Sequence, residues 1–270
     1  MPFAVSIGLL GLVQAALVAL PAPRPLPRWV ARFRSDWWAL VPALSIVVTI
    51  VVVNFYSGSA TGLSYLALVA VPPLAAVALG WLVRGARPAW IAAAVPLFAI
   101  AWAAEGSLAG ETAAAALSAL SCVALGWMLV SVVPARWLRL GVYAMATIDA
   151  VLVAAELLQG PNAVLSAAAP VADLPRLQVL EFGAARMGFG DAFVAAVVGC
   201  LLAADKQPAD GPISHVIDRF SAHRQMMAAA LVVALALAFD LLFFAVDTLP
   251  ATVPVAVALA LVTRRRGPQL

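Results

Sequence analysis

The chain has 270 residues, of which 65% are hydrophobic and 11% charged. A water-soluble globular domain carries about 25% charged residues, so the composition excludes that class and points to a multi-pass membrane protein. The formal net charge of +3 does not imply a nucleic-acid partner, because the basic residues stand at the ends of apolar runs.

A helix crosses the hydrocarbon layer with roughly 20 apolar residues. On that length nine spans are expected, over 3–20, 37–55, 62–83, 88–104, 112–133, 140–158, 187–204, 225–246 and 250–263. No basic stretch precedes Phe3, so the first run reads as a retained span rather than a signal peptide. Pro72-Pro73 is expected to kink the third span and Pro96 the fourth.

Charge orders these spans. Arg24, Arg28, Arg32 and Arg34 follow the first; Arg84 and Arg87 follow the third; Arg136 and Arg139 follow the fifth. Lys206, Arg219 and Arg224 follow the seventh, and Arg264, Arg265 and Arg266 the ninth. The opposite side holds only Arg176 and Arg186 among the basic residues, with Glu105, Glu111, Asp173, Glu181 and Asp247. The positive-inside rule then gives an all-α polytopic membrane protein of nine transmembrane helices, N-terminus outside and C-terminus inside. Residues 1–139 form an N-terminal bundle of five spans. Residues 140–270 carry spans six to nine, with an outer loop at 159–186 and an inner amphipathic loop at 205–224.

In the inner loop, Ile213, Val216, Ile217 and Phe220 share one helical face, which reads as a short helix on the membrane surface. His215 and His223 lie in it, and no acidic or cysteine cluster completes a metal site. Cys122 and Cys200 lie deep in apolar runs and read as small core residues. No cofactor or metal is expected.

Two acids interrupt the spans where chemistry is expected: Asp149 in the sixth and Asp191 in the seventh. An acid at mid-bilayer costs roughly 2.5–3.5 kcal/mol on insertion scales, so it marks a functional position. Two carboxyl groups in a low-dielectric site share one proton. The ionised partner can take a proton from water attacking a carbonyl, while the protonated partner donates to the carbonyl oxygen. Asp191 ends the string Gly188-Phe189-Gly190-Asp191. The two glycines allow another backbone to approach the acid, and Gly190 tolerates unusual dihedrals; ordinary small-residue packing is the competing explanation. Asp149 falls mid-span, whereas Asp191 is only four residues beyond Met187, a depth gap of about 8 Å. The gap closes if the seventh helix begins near Gly183, which is the expectation. Asp240, in the eighth span, reads as structural, and Glu156 as a wet rim residue.

These features together resemble the presenilin and signal peptide peptidase family of intramembrane aspartyl proteases. The resemblance rests on the nine-span plan, Asp149, Gly188-Phe189-Gly190-Asp191, and Pro250-Ala251 before the last span. It implies that Asp149 and Asp191 are the catalytic pair, with Gly188, Phe189 and Gly190 as active-site motif. It further implies that an extended stretch, here 177–182 with Leu177 and Val179, pairs with an unwound substrate, and that Pro250 and Ala251 shape the groove. The implied partners are transmembrane-helix or signal-peptide substrates and the lipid bilayer. The implied location is a prokaryotic plasma (inner) membrane. Two positions depart from the family pattern. Ile148 stands where a tyrosine usually precedes the first aspartate, and Thr252 stands where leucine usually completes Pro-Ala-Leu.

Three alternatives stay open. A prepilin-type peptidase also uses Gly-x-Gly-Asp, but with a lysine soon after it, where this chain has Ala192-Phe193. A transporter or scaffold could use buried acids for proton or cation movement. An inactive family member could bind helices without cutting them.

Overall fold

The computed structural model describes residues 3–23, 32–39, 44, 59–155, 170, 174–205, 214–240 and 250–264. Eight α-helices lie among them: α1 Phe3–Ala19, α2 Ser59–Val77, α3 Ala94–Ala103, α4 Leu108–Val132, α5 Ala135–Ala154, α6 Phe189–Ala204, α7 Ser214–Asp240 and α8 Thr252–Arg264. An antiparallel hairpin, β1 Val179–Phe182 and β2 Ala185–Gly188, stands immediately before α6. Among the described residues, three stretches are long and apolar enough to cross a membrane: Thr61–Leu82, Leu108–Val132 and Ala135–Ala154. The other apolar helices are shorter. Of the expected second span, only a 3-10 turn at Asp36–Ala39 and Leu44 fall within the described residues.

The prolines act less simply than expected. Pro72 and Pro73 lie inside α2, which passes into a π-helical turn at Ala78–Leu82 before the chain leaves at Val83. A 3-10 turn at Pro88–Ala93 precedes α3, so Pro96 falls in the first turn of α3. A proline there forfeits no interior hydrogen bond. The amphipathic segment of the inner loop is not a separate helix, because α7 runs unbroken from Ser214. No glycine or proline occurs between Ser214 and Asp240, so nothing in the sequence stops it. At 1.5 Å per residue α7 is about 40 Å long, more than the hydrocarbon thickness of ~30 Å.

α6 is the centre of the bundle. It packs against α1, α4, α5, α7 and α8, and from Ala192 to Ala203 nearly every side chain is buried. Alanine, valine and glycine let its neighbours come close. A Cβ on Gly199 would strike the backbone of Leu17 and Val18 in α1. On the other side, Gly126 of α4 faces Cys200 and the backbone of Ala196. Both cysteines are buried and free, as expected of core residues. A second apolar cluster joins Val71 and Ala75 of α2, Ala94 and Ala101 of α3, and Ala113 and Leu117 of α4 with Leu177.

One end of the bundle gathers the polar groups. The Gln225 side chain of α7 is buried and donates from Nε2 to the carbonyls of Val18 (2.8 Å) and Pro21 (3.1 Å). Arg84 donates from Nε to Ala19 O (2.9 Å) and from Nη2 to Gln225 Oε1 (2.5 Å). These contacts satisfy the last carbonyls of α1, which have no partner within their own helix. At the same end Arg139 pairs with Asp205 at 3.0 Å, and Arg136 with Asp36 at 2.9 Å. Trp37, Trp38, Trp81 and Trp137 are exposed, and the Arg136 guanidinium lies over the Trp137 ring at 5.5 Å.

Candidate active site

The hairpin sets the position of Asp191. Phe182 pairs with Ala185 across a two-residue loop. Gly183 opens that loop at φ +56, a left-handed conformation that glycine adopts without strain. Glu181 and Arg186 face each other across the strands and form an ion pair at 2.7 Å. α4 holds the outside of this unit: Glu111 accepts from Gly183 N at 2.8 Å, and Ser118 donates to Leu177 O at 2.8 Å. Gly188 is both the last residue of β2 and the N-cap of α6. Asp191 therefore stands in the first turn of α6, three residues beyond the cap, with its carboxyl turned back against Gly188.

The expectation that this helix begins near Gly183 is thus corrected: α6 begins at Phe189, because 179–188 is spent on the hairpin. The depth gap nonetheless shrinks, from the other partner. α5 ends at Ala154 rather than 158, leaving Asp149 five residues from its end. Asp191 is two residues from the start of α6. The two helices are antiparallel, since Arg139 near the start of α5 bonds Asp205 at the end of α6. Along its own helix, Asp149 stands about 7.5 Å from the end of α5 and Asp191 about 3 Å from the start of α6, so a difference of about 4.5 Å is left.

The two carboxyl groups lie within reach of each other's charge. Asp149 has a further partner. Thr252, the first residue of α8, donates to Asp149 Oδ2 from its hydroxyl at 2.6 Å and from its backbone N–H at 3.3 Å. The loop before α8 is tied in turn to α1, where Gln14 Nε2 donates to Ala251 O at 3.1 Å. Asp149, Asp191, Gly188 and the Pro250–Thr252 loop are therefore brought together, at a point where α6 and α8 both begin.

The remaining site residues divide. Val179 pairs directly with Gly188, so the extended stretch does run beside the acid-bearing helix. Leu177 is fully buried against α4, with its carbonyl occupied. Gly190 has helical rather than left-handed geometry, and a Cβ there would meet nothing within 4 Å. Its contribution is open space beside Asp191, not an unusual dihedral. Phe189 is partly buried and packs against both apolar clusters. Ile148 is 56% exposed and points away from the bundle. Asp240 is the last residue of α7, and its side chain, like Glu156, lies outside the described residues. Sequence inspection missed Gln14, whose signal was a buried amide inside an apolar run. It saw Thr252 only as a departure from a motif.

No protein-family model, curated protein or solved structure matches this chain.

Proposed function

We propose that the protein is an intramembrane-cleaving aspartic endopeptidase in which Asp149 and Asp191 activate water against a peptide bond of a transmembrane or signal-peptide segment. The observation that carries this is the meeting of two acids from separate helices at one end of the bundle, within reach of each other's charge. Two carboxyls that share a low-dielectric site would hold one proton between them, the condition for one to act as base and the other as acid. The open flank at Gly190 leaves room for a substrate backbone. The hairpin beside it is consistent with strand pairing to an unwound segment, whose freed amides need partners in lipid. In this reading the chain has nine spans with the N-terminus outside, resides in a prokaryotic inner membrane, and presents the acids toward the outer face.

One observation favours a second reading. An acid three residues past an N-cap, turned back toward the cap residue, holds the acidic position of a capping box, so Asp191 also serves the start of α6. Purified protein reconstituted with a single-span peptide separates the two. Loss of product in both Asp149→Ala and Asp191→Ala is expected; product from either variant at the parent rate leaves a structural cap only.

A further inference from the structure

We propose that Thr252 is a positioning residue for Asp149, and that Gln14 holds the loop from which it acts. The inference rests on the protease reading above. It starts from an asymmetry between the two acids. Asp191 is attached to the enclosed helix α6, with its carboxyl against its own cap residue Gly188. Asp149 is attached to α5, whose flank residues Leu140, Ile148 and Val151 are all exposed. A side chain on so open a helix needs an external hold to keep one orientation.

Thr252 supplies two. Its hydroxyl and its backbone N–H converge on the same oxygen, Oδ2, at 2.6 and 3.3 Å. Two donors to one oxygen fix the plane of the carboxyl group. They also mark Oδ2 as an acceptor, because an N–H can only donate. No hydrogen bond to Oδ1 is formed among the described residues, so that oxygen is left for water. The N–H of Thr252 belongs to the first turn of α8, where amides have no intrahelical partner, so Asp149 caps α8 from another helix. The position of Thr252 is set in turn by the preceding residue, since Ala251 O is bonded to Gln14, a 4%-exposed amide of α1. A leucine at 252 keeps the backbone donor and loses the hydroxyl, so this chain has a hold on its first aspartate that Pro-Ala-Leu does not provide.

The test compares the reconstituted parent with Thr252→Val, Thr252→Ser and Gln14→Leu on the single-span peptide. Valine matches threonine in shape without its hydroxyl, and serine keeps the hydroxyl. Thr252→Val is expected to lower kcat by about 10- to 100-fold, the scale of a misplaced catalytic group, with KM within about twofold. Thr252→Ser should recover most of the loss, and Gln14→Leu should show the same kcat-only signature more weakly. Parent-like kcat in Thr252→Val, a loss confined to KM, or a serine variant as slow as valine overturns the proposal. A second measurement does not depend on activity: a thermal double-mutant cycle in detergent. Thr252→Val should lower Tm by about 2–4 °C in the parent and by much less in Asp149→Ala. Equal shifts in both backgrounds overturn the contact. A parent that cuts nothing sinks the protease reading, and the cycle still decides whether Thr252 holds Asp149.

Discussion

The two acid-bearing helices are built in opposite ways. α6 is enclosed by five other helices and lined by alanine, valine and glycine, whereas α5 buries only Leu138, Val142 and Ala146. The enclosed helix needs no side-chain hold on its acid beyond its own cap. The peripheral helix relies on a threonine 103 residues away in sequence. A site assembled from one fixed and one adjustable element can admit a bulky substrate at the adjustable side without unpacking the core.

This contrast can be broken or sharpened by substitution. The largest effect is expected for the acids themselves. Asp149→Ala and Asp191→Ala should each reduce peptide cleavage by about 10²–10⁴-fold, read as product formed in proteoliposomes. Next comes Gly199→Val, which forces a side chain into the α1 backbone and should cost roughly 3 kcal/mol, near the upper end for overpacking, seen as a fall in thermal stability in detergent. Gln225→Ala leaves Arg84 and the carbonyls of Val18 and Pro21 without a partner amide, for a loss of about 1–3 kcal/mol in the same assay. The smallest effect is expected on the open flank of α5. Val151→Ala, at a position 59% exposed, should change stability by no more than about 0.5 kcal/mol. A large loss there, or a silent Gly199→Val, would reverse the assignment of fixed and adjustable helices.

Hydrophobic run length made most helices legible, since apolar stretches such as Leu108–Val132 leave few other choices. It misplaced their ends. α5 begins at Ala135 despite Arg136 and Arg139, because those arginines find Asp36 and Asp205. The extended stretch at 177–182 was expected and contains β1, but its pairing with β2 in a hairpin was not, for a different reason. Its strands have four residues each, with the alternation carried by the Glu181–Arg186 pair and a single glycine turn. Such a pattern is weak beside the helical signal around it. The aspartates could be read from their cost in lipid. The partners of Asp149 could not, because Thr252 and Gln14 are joined to the site by folding rather than by spacing.

The junction at Gly188 has one more consequence. Strand and helix share that residue, so no linker separates hairpin register from the height of Asp191. A slip of β2 by one residue would carry the chain about 3.3 Å along the strand and reverse which side chains face the core. The intermediate positions that a flexible loop would permit are therefore closed to Asp191. The Glu181–Arg186 pair and the Glu111 bond to Gly183, modest as surface contacts, thus act as a ruler for the carboxyl group.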